Sequence, residues 1–144
     1  MIDRPALREV TLVLPMAPDM ELVASQAASA LAGFVGMSPD RVDEVRMAVV
    51  EACINAFEHS HSAERRVDIT FRVLGNDSPE TLEIEVHDNG IGFAPAEVEE
   101  PRMEDKLKGD RKRGWGLKII RGLVDDVRIL SGARGTTVIM RKSR

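Results

Sequence analysis

The chain has 144 residues, 43% hydrophobic and 31% charged, with a net charge of −4 and a single cysteine. That length holds one domain with one core, and the composition is ordinary for a soluble globular protein. The negative charge argues against non-specific nucleic-acid binding, which needs a basic surface. No apolar run reaches the roughly 20 residues that a bilayer crossing requires. The start, "MIDRPALREV", has an early acid and no apolar core, unlike a secretory leader. One cysteine excludes an intramolecular disulfide, and a reducing cytoplasm is the expected setting.

Residues 8–15, "REVTLVLP", alternate apolar and polar side chains and are rich in β-branched residues, which predicts a strand. Residues 19–35 carry apolar groups at helical spacing, with Asp19 as the expected N-cap and Gly36 as the stop. Ser38, Pro39 and Asp40 open a second helix that runs to about residue 60. On it Val45, Val49, Ala52, Cys53 and Ala56 suit a buried face. "RRVDITFRVLG" and "TLEIEVHD" alternate, with Val67, Ile69, Phe71, Val73, Leu82, Ile84 and Val86 inward. "NDSPE" between them is a turn signal, so the two segments read as antiparallel neighbours. Residues 97–113, "EVEEPRMEDKLKGDRKR", pass from acidic to basic and read as a solvated loop, although the basic end beside glycines also suits phosphates. "GWGLKIIRGLV" has helical spacing, and "DVRILSGARGTTVIMRK" reads as two strands across a tight turn. The order β-α-α-β-β-loop-α-β-β predicts an α+β fold in two layers, with helices over one face of a mixed, mostly antiparallel sheet.

Four short motifs carry candidate chemistry. In "EACINAFEHS", Glu51 and Asn55 are four residues apart and therefore share one face of the helix; they form either a polar stripe or a pocket wall. "DNGIGF" places Asp88 at a strand end, where a carboxylate can accept from an exocyclic amine. Gly90 and Gly92 there permit positive φ and close approach of a ligand; a plain Asx turn reads the same way. In "RGWGLKII", Gly114 and Gly116 stand where a helix begins. Free N–H groups at such a position favour an anion, and Lys112 and Arg113 add positive charge. In "GARGTTVIM", Thr136 opens the last strand and offers a hydroxyl. No Walker A loop and no Rossmann fingerprint occurs.

The order and spacing of the four motifs resemble the Bergerat-fold (histidine-kinase-like, GHKL) nucleotide-binding superfamily over about residues 8–141. Within it, the short stand-alone format and "EACINAFEHS" look most like the anti-sigma-factor serine/threonine kinases. The resemblance implies one domain over residues 1–144 that binds ATP and Mg²⁺, holds a sigma factor inactive and phosphorylates a STAS-type anti-anti-sigma partner. It makes Glu51 the general base and Asn55 the magnesium ligand. It makes Asp88 the acceptor of the adenine amine, and Gly90 and Gly92 the loop beneath the base. Residues 94–113 become a lid, Gly114 and Gly116 the second glycine pair, and Thr136 a support of the adenine pocket. Where some family kinases carry an arginine to the γ-phosphate, this chain has Lys112, with Arg113 next to it. Lysine is a point charge where arginine offers a fork, so transfer efficiency is the property this departure touches.

The resemblance further implies a homodimer through the sheet and first helix region, with no direct nucleic-acid or membrane partner. His59, at a helix end, needs no chemistry to be favourable there. Cys53 reads as a small core residue, and Trp115 as lid packing. Two other readings stay open: a switch module that binds nucleotide but transfers poorly, and the ATP-binding half of a histidine kinase. The second needs a separate phosphoacceptor, since no helix hairpin precedes the domain. A gyrase-like ATPase is disfavoured because no transducer domain follows Arg144.

Overall fold

The computed structural model describes residues 6–60, 64–89 and 113–144, with side chains from 116 onward in the last stretch. Strand β1 (Ala6–Pro15) is followed by helices α1 (Met20–Val35) and α2 (Pro39–His59). Then come strands β2 (Arg66–Leu74) and β3 (Thr81–Asp88), helix α3 (Arg113–Leu123), and strands β4 (Asp126–Gly132) and β5 (Gly135–Ser143). The five strands form one sheet in the order β1-β2-β3-β5-β4, and every ladder is antiparallel. The fold is thus the expected α+β two-layer form, with a fully antiparallel sheet among the described residues.

Alternation along the strands decides which sheet face is covered. Val67, Ile69, Phe71 and Val73 of β2 stand opposite Asp88, Val86, Ile84 and Leu82 of β3. Those β3 residues oppose Thr136, Val138, Met140 and Lys142 of β5. All twelve are buried, so this face lies under the helices. The helices meet it with small residues: Ala24, Ala28 and Ala32 of α1 and Ala48, Ala52 and Ala56 of α2 are all buried. Side-chain size at a contact sets how closely helices approach, and alanine lets both lie close. α2 is central, packed on α1 at one side and on α3 at the other.

The opposite face is tied by charge. Arg72 on β2 reaches Glu9 on β1 at 3.0 Å, and Glu83 and Glu85 on β3 at 2.9 and 3.3 Å. Glu83 also accepts from Arg141 Nε on β5 at 2.7 Å. Burial alone would lower the Arg72 pKa; the carboxylates of Glu83, Glu9 and Glu85 outweigh it and hold it above the ordinary value.

Helix ends follow the sequence with one correction. Gly36 closes α1 at φ 90°, and Ser38 caps α2 by accepting from the Arg41 N–H at 3.4 Å. Asp19 is not a side-chain N-cap: it sits in the left-handed region at φ 73° and makes no side-chain cap hydrogen bond. A short polar side chain tolerates that conformation, and a residue so placed does not have the extended backbone that aims a cap at the helix.

Candidate functional site

Glu44, Ala48, Glu51 and Asn55 recur along α2 at i, i+4, i+7 and i+11, one side of a helix. Two observations show what that side faces. Glu44 lies 3.6 Å from Lys142 Nζ, which donates to the carbonyl of Leu123, the last residue of α3, at 2.6 Å. Glu51 lines one groove together with Ile119 of α3. The side therefore faces α3, and the C-terminus of α3 is level with Glu44. α3 spans about 15 Å from Leu123 back to Arg113, and α2 about 16 Å from Glu44 to Asn55, at 1.5 Å per residue. Run antiparallel, the two helices bring the first turn of α3 level with Asn55. That turn comprises Arg113, Gly114, Trp115 and Gly116, whose N–H groups have no acceptor within the helix. A helix start of this kind favours an anion.

Glu51 and Asn55 share a side but not an environment. Glu51 is half-buried at the groove. Asn55 is buried. Among the described residues no group of three or more His, Cys, Asp or Glu is placed to hold a metal ion. A magnesium ion fits Asn55 on these terms, because it keeps several waters and takes few protein ligands beside phosphates.

The second cluster lies at the sheet end. Asp88, the last residue of β3, stands directly opposite Thr136 on β5, and both are buried on the helix-covered face, at 4% and 2% exposure. The Thr136 hydroxyl lies 3.2 Å from that of Ser131. Gly135 explains how close the strands come. Its φ is 109°, and a Cβ there would stand 1.9 Å from the Asp88 carbonyl oxygen. Around Asp88 the open face is pinned by a chain of hydrogen bonds. His87 Nδ1 is 2.8 Å from Thr137 Oγ1, and His87 Nε2 is 2.9 Å from Asn89 Oδ1, while Asn89 Nδ2 donates to Glu64 at 3.4 Å. With Asn89 donating from Nδ2, its oxygen accepts from His87 Nε2–H, and Nδ1 accepts from the Thr137 hydroxyl.

The structure thus places Glu51 in a groove with Ile119 of α3, on the side of α2 that also carries Asn55, and sets Asp88 opposite Thr136. Gly116 is buried in the first turn of α3; Arg113 and Gly114 lie on the same turn. Gly90, Gly92, Lys112 and nearly all of the expected lid lie outside the described residues. Sequence reading missed Gly135 as a contact of Asp88, the His87–Asn89 chain, and Lys142 as the tie between α3 and α2. It also missed Arg65, which donates to the carbonyls of Ser60 and Phe57 at 3.2 Å each and so caps the end of α2. Only the turn glycine gave a signal; the others occupy places that many polar residues fill.

Two further residues are located. His59, in the last turn of α2, lies 3.9 Å from Glu58. Cys53 is fully buried, and burial, with Glu21 adding to it, pushes its thiol up to about 12.

The profile of the histidine kinase-like ATPase domain family matches residues 16–142. The chain belongs to that family, whose common chemistry is the use of ATP. It is 29% identical over 138 residues to the serine-protein kinase RsbW of Listeria monocytogenes serotype 4a (strain HCC23), covering 93% of this chain and 86% of that protein. It is 25% identical over 144 residues to the serine-protein kinase RsbW of Bacillus thuringiensis (strain Al Hakam), covering 93% and 84%. Among solved structures it is similar to the RsbU and RsbW domains of Rv1364c from Mycobacterium tuberculosis, with TM-score 0.68 and 18% identity over 95% of this chain. This chain spans about a third, 33%, of that one. It is also similar to a chain of the SiaB–SiaC complex from Pseudomonas aeruginosa, with TM-score 0.55 and 11% identity, covering 94% of this chain and 88% of that one. At these identities the two structures speak for the fold alone. No helix among the described residues is long and apolar enough to cross a membrane.

Proposed function

We propose that the chain is an ATP-dependent serine/threonine protein kinase that acts as an anti-sigma factor and phosphorylates a STAS-type anti-anti-sigma protein. The observation that supports this reading is the side of α2 that carries Glu51 and Asn55 and faces α3. A carboxylate, a magnesium-competent carboxamide and free backbone N–H groups are the parts that phosphoryl transfer to a hydroxyl requires. The curated relatives named serine-protein kinase RsbW support the choice of acceptor.

In the proposed reaction Asp88 accepts from the adenine amine, and Thr136 supports that pocket. Gly90 and Gly92 run beneath the base. The N–H groups of Gly114 and Gly116 hold phosphate oxygens, and Lys112 and Arg113 add charge beside the γ-phosphate. Asn55 would hold Mg²⁺ through its amide oxygen, where the ion would supply neutralisation of the phosphate charge. Glu51 takes the proton of the acceptor hydroxyl as its oxygen bonds to the γ-phosphorus and the bond to the bridging oxygen breaks, releasing ADP.

The test is transfer of labelled phosphate from ATP to a STAS-type partner by the parent and by Glu51→Gln. The parent is expected to yield an acid-stable phosphoserine or phosphothreonine. Glu51→Gln is expected to lose transfer at least 100-fold, within the range for general-base loss, while binding ADP within about threefold of the parent. Transfer by Glu51→Gln at the parental rate would remove the base assignment. An acid-labile product would favour the histidine-kinase reading. Nucleotide binding with no labelled protein would favour the switch module, which Lys112 as a point charge makes the second reading.

A further inference from the structure

His87 has no part in the reaction above, yet it is the residue next to Asp88. Successive side chains of a strand point to opposite faces. Asp88 is therefore buried under the helices, while His87 stands half-buried on the open face of the sheet. A ligand held by Asp88 lies on the far side of the sheet from the imidazole, so any effect of His87 on it passes through other residues.

Both ring nitrogens are used, and the two bonds tie different things. Nδ1 accepts from Thr137, the residue directly across on β5, at 2.8 Å. That bond joins two strands that the ladder already joins. Nε2–H donates to Asn89 Oδ1 at 2.9 Å. Asn89 is exposed and lies one residue beyond Asp88, the last paired residue of β3 on either side. Its other side-chain bond, to Glu64, is long at 3.4 Å, and Glu64 is shared with Arg66 at 3.3 Å. β5 presses on the same stretch of chain: a Cβ on Gly135 would stand 2.9 Å from Asn89 Cα and 1.9 Å from the Asp88 carbonyl oxygen. The backbone that carries the Asp88 side chain is held by contact at Gly135 and by the imidazole at Asn89.

We propose that His87 is a positioning residue for the nucleotide base, acting through Asn89. Its Nε2–H holds the Asn89 carboxamide, and with it the backbone that aims the Asp88 carboxylate at the exocyclic amine. The proposal rests on the reading of Asp88 as the adenine acceptor and on no part of phosphoryl transfer.

Two carboxamides separate the two ring bonds. Asparagine at this position puts an acceptor near the place of Nδ1 and can serve Thr137. Glutamine is one methylene longer and puts a donor near the place of Nε2, where it can serve Asn89. The experiment measures ADP affinity by calorimetry and stability by urea unfolding, on the full chain, for the parent, His87→Asn, His87→Gln and His87→Leu. His87→Asn and His87→Leu are expected to weaken ADP about three- to tenfold, the range that one neutral hydrogen bond can transmit. His87→Gln is expected to stay within about twofold of the parent. The urea midpoints of His87→Asn and His87→Gln should fall alike, since each keeps one bond of two. Asn89→Ala should weaken ADP as His87→Leu does, and adding His87→Leu to it should cost less than a further twofold, because both changes delete the same bond. Equal ADP affinities for the asparagine and glutamine variants would make His87 a brace of the sheet and overturn the proposal. So would losses that simply multiply in the double variant. A parent that binds no ADP would remove the reading of Asp88 and this proposal with it. A parent that binds ADP and phosphorylates nothing, with the difference between the two carboxamides intact, would remove the kinase reading and support the role of His87.

Discussion

Gly135 shows how far a residue's reason can lie from its own segment. As a letter in "SGARGTT" it marks a turn. In the fold it is the residue that lets β5 pass against the backbone of Asp88, 47 positions upstream. Gly135→Ala would meet both a positive φ and a carbonyl oxygen at 1.9 Å, and the chain must shift to accept it. The expected cost is about 2–4 kcal/mol, the upper part of the range for one strained residue with added overlap, read by urea unfolding. Because the displaced backbone is that of Asp88 and Asn89, ADP affinity should fall as well, and calorimetry would show it. Cys53 gives a prediction of a different kind. Its thiol titrates at about 12 in the fold against 9.0 for the free group, so the folded state favours the neutral form. That stabilisation is whole below pH 9 and is lost as the pH rises towards 12. The chain has no tyrosine to mask this window. Unfolding free energies of the parent and Cys53→Ala should therefore draw closer by about 2 kcal/mol between pH 8 and pH 10.5. A constant gap would mean that the thiol ionises without opening the core.

At the scale of elements, periodicity was enough to find the eight described elements and the inward faces of α2, β2 and β3. Val67, Ile69, Phe71 and Val73 alternate for the simple reason that a strand covered on one side must. What periodicity cannot carry is the relation between elements. Nothing in "DNG" and "RGTT" says that Asp88 and Thr136 stand opposite each other; that follows from the register of two strands separated by α3 and β4. Nor does the string reveal that the end of α3 is tied through Lys142 to Glu44 near the start of α2, on which the proposed meeting of Asn55 and the α3 first turn depends. Lys142 is part of that alignment. A lysine in the covered row of β5, buried to 6% exposure, is costly unless paired. Here its Nζ closes the end of α3 through Leu123 and holds Glu44 of α2. Lys142→Met keeps the apolar stem and deletes both bonds. It should cost about 1.5–3 kcal/mol, the range for a hydrogen bond to a charged group, by chemical denaturation. It should also raise the Kd for ADP several-fold, since α3 is then free to slide along α2 and carry its first turn away from Asn55. Loss of stability with unchanged ADP affinity would make Lys142 a brace of the fold alone.

For the whole molecule, the candidate site was legible as an order of motifs before any of its geometry was. Each motif alone reads as a turn, a cap or a hairpin; the set reads as a nucleotide site only because one fold collects its members. The two described clusters sit on different layers. Asp88 and Thr136 belong to the sheet, while Glu51, Asn55 and the α3 first turn belong to the helices. A nucleotide that touches both would tie the layers together, and anything that binds only the folded state stabilises it. At a free ADP concentration 100 times Kd the gain is about 2.7 kcal/mol, worth roughly 5–10 °C in Tm for a chain of this size. Asp88→Ala removes the sheet-side contact and should abolish most of that shift. Asn55→Ala should leave the shift given by ADP alone nearly whole and remove the increment that Mg²⁺ adds. In the proposed reading the two residues hold opposite ends of the ligand, so the two losses are separable. An Asp88→Ala protein that still gained the full shift would place the base elsewhere, and an Mg²⁺ increment that survived Asn55→Ala would take the ion off α2.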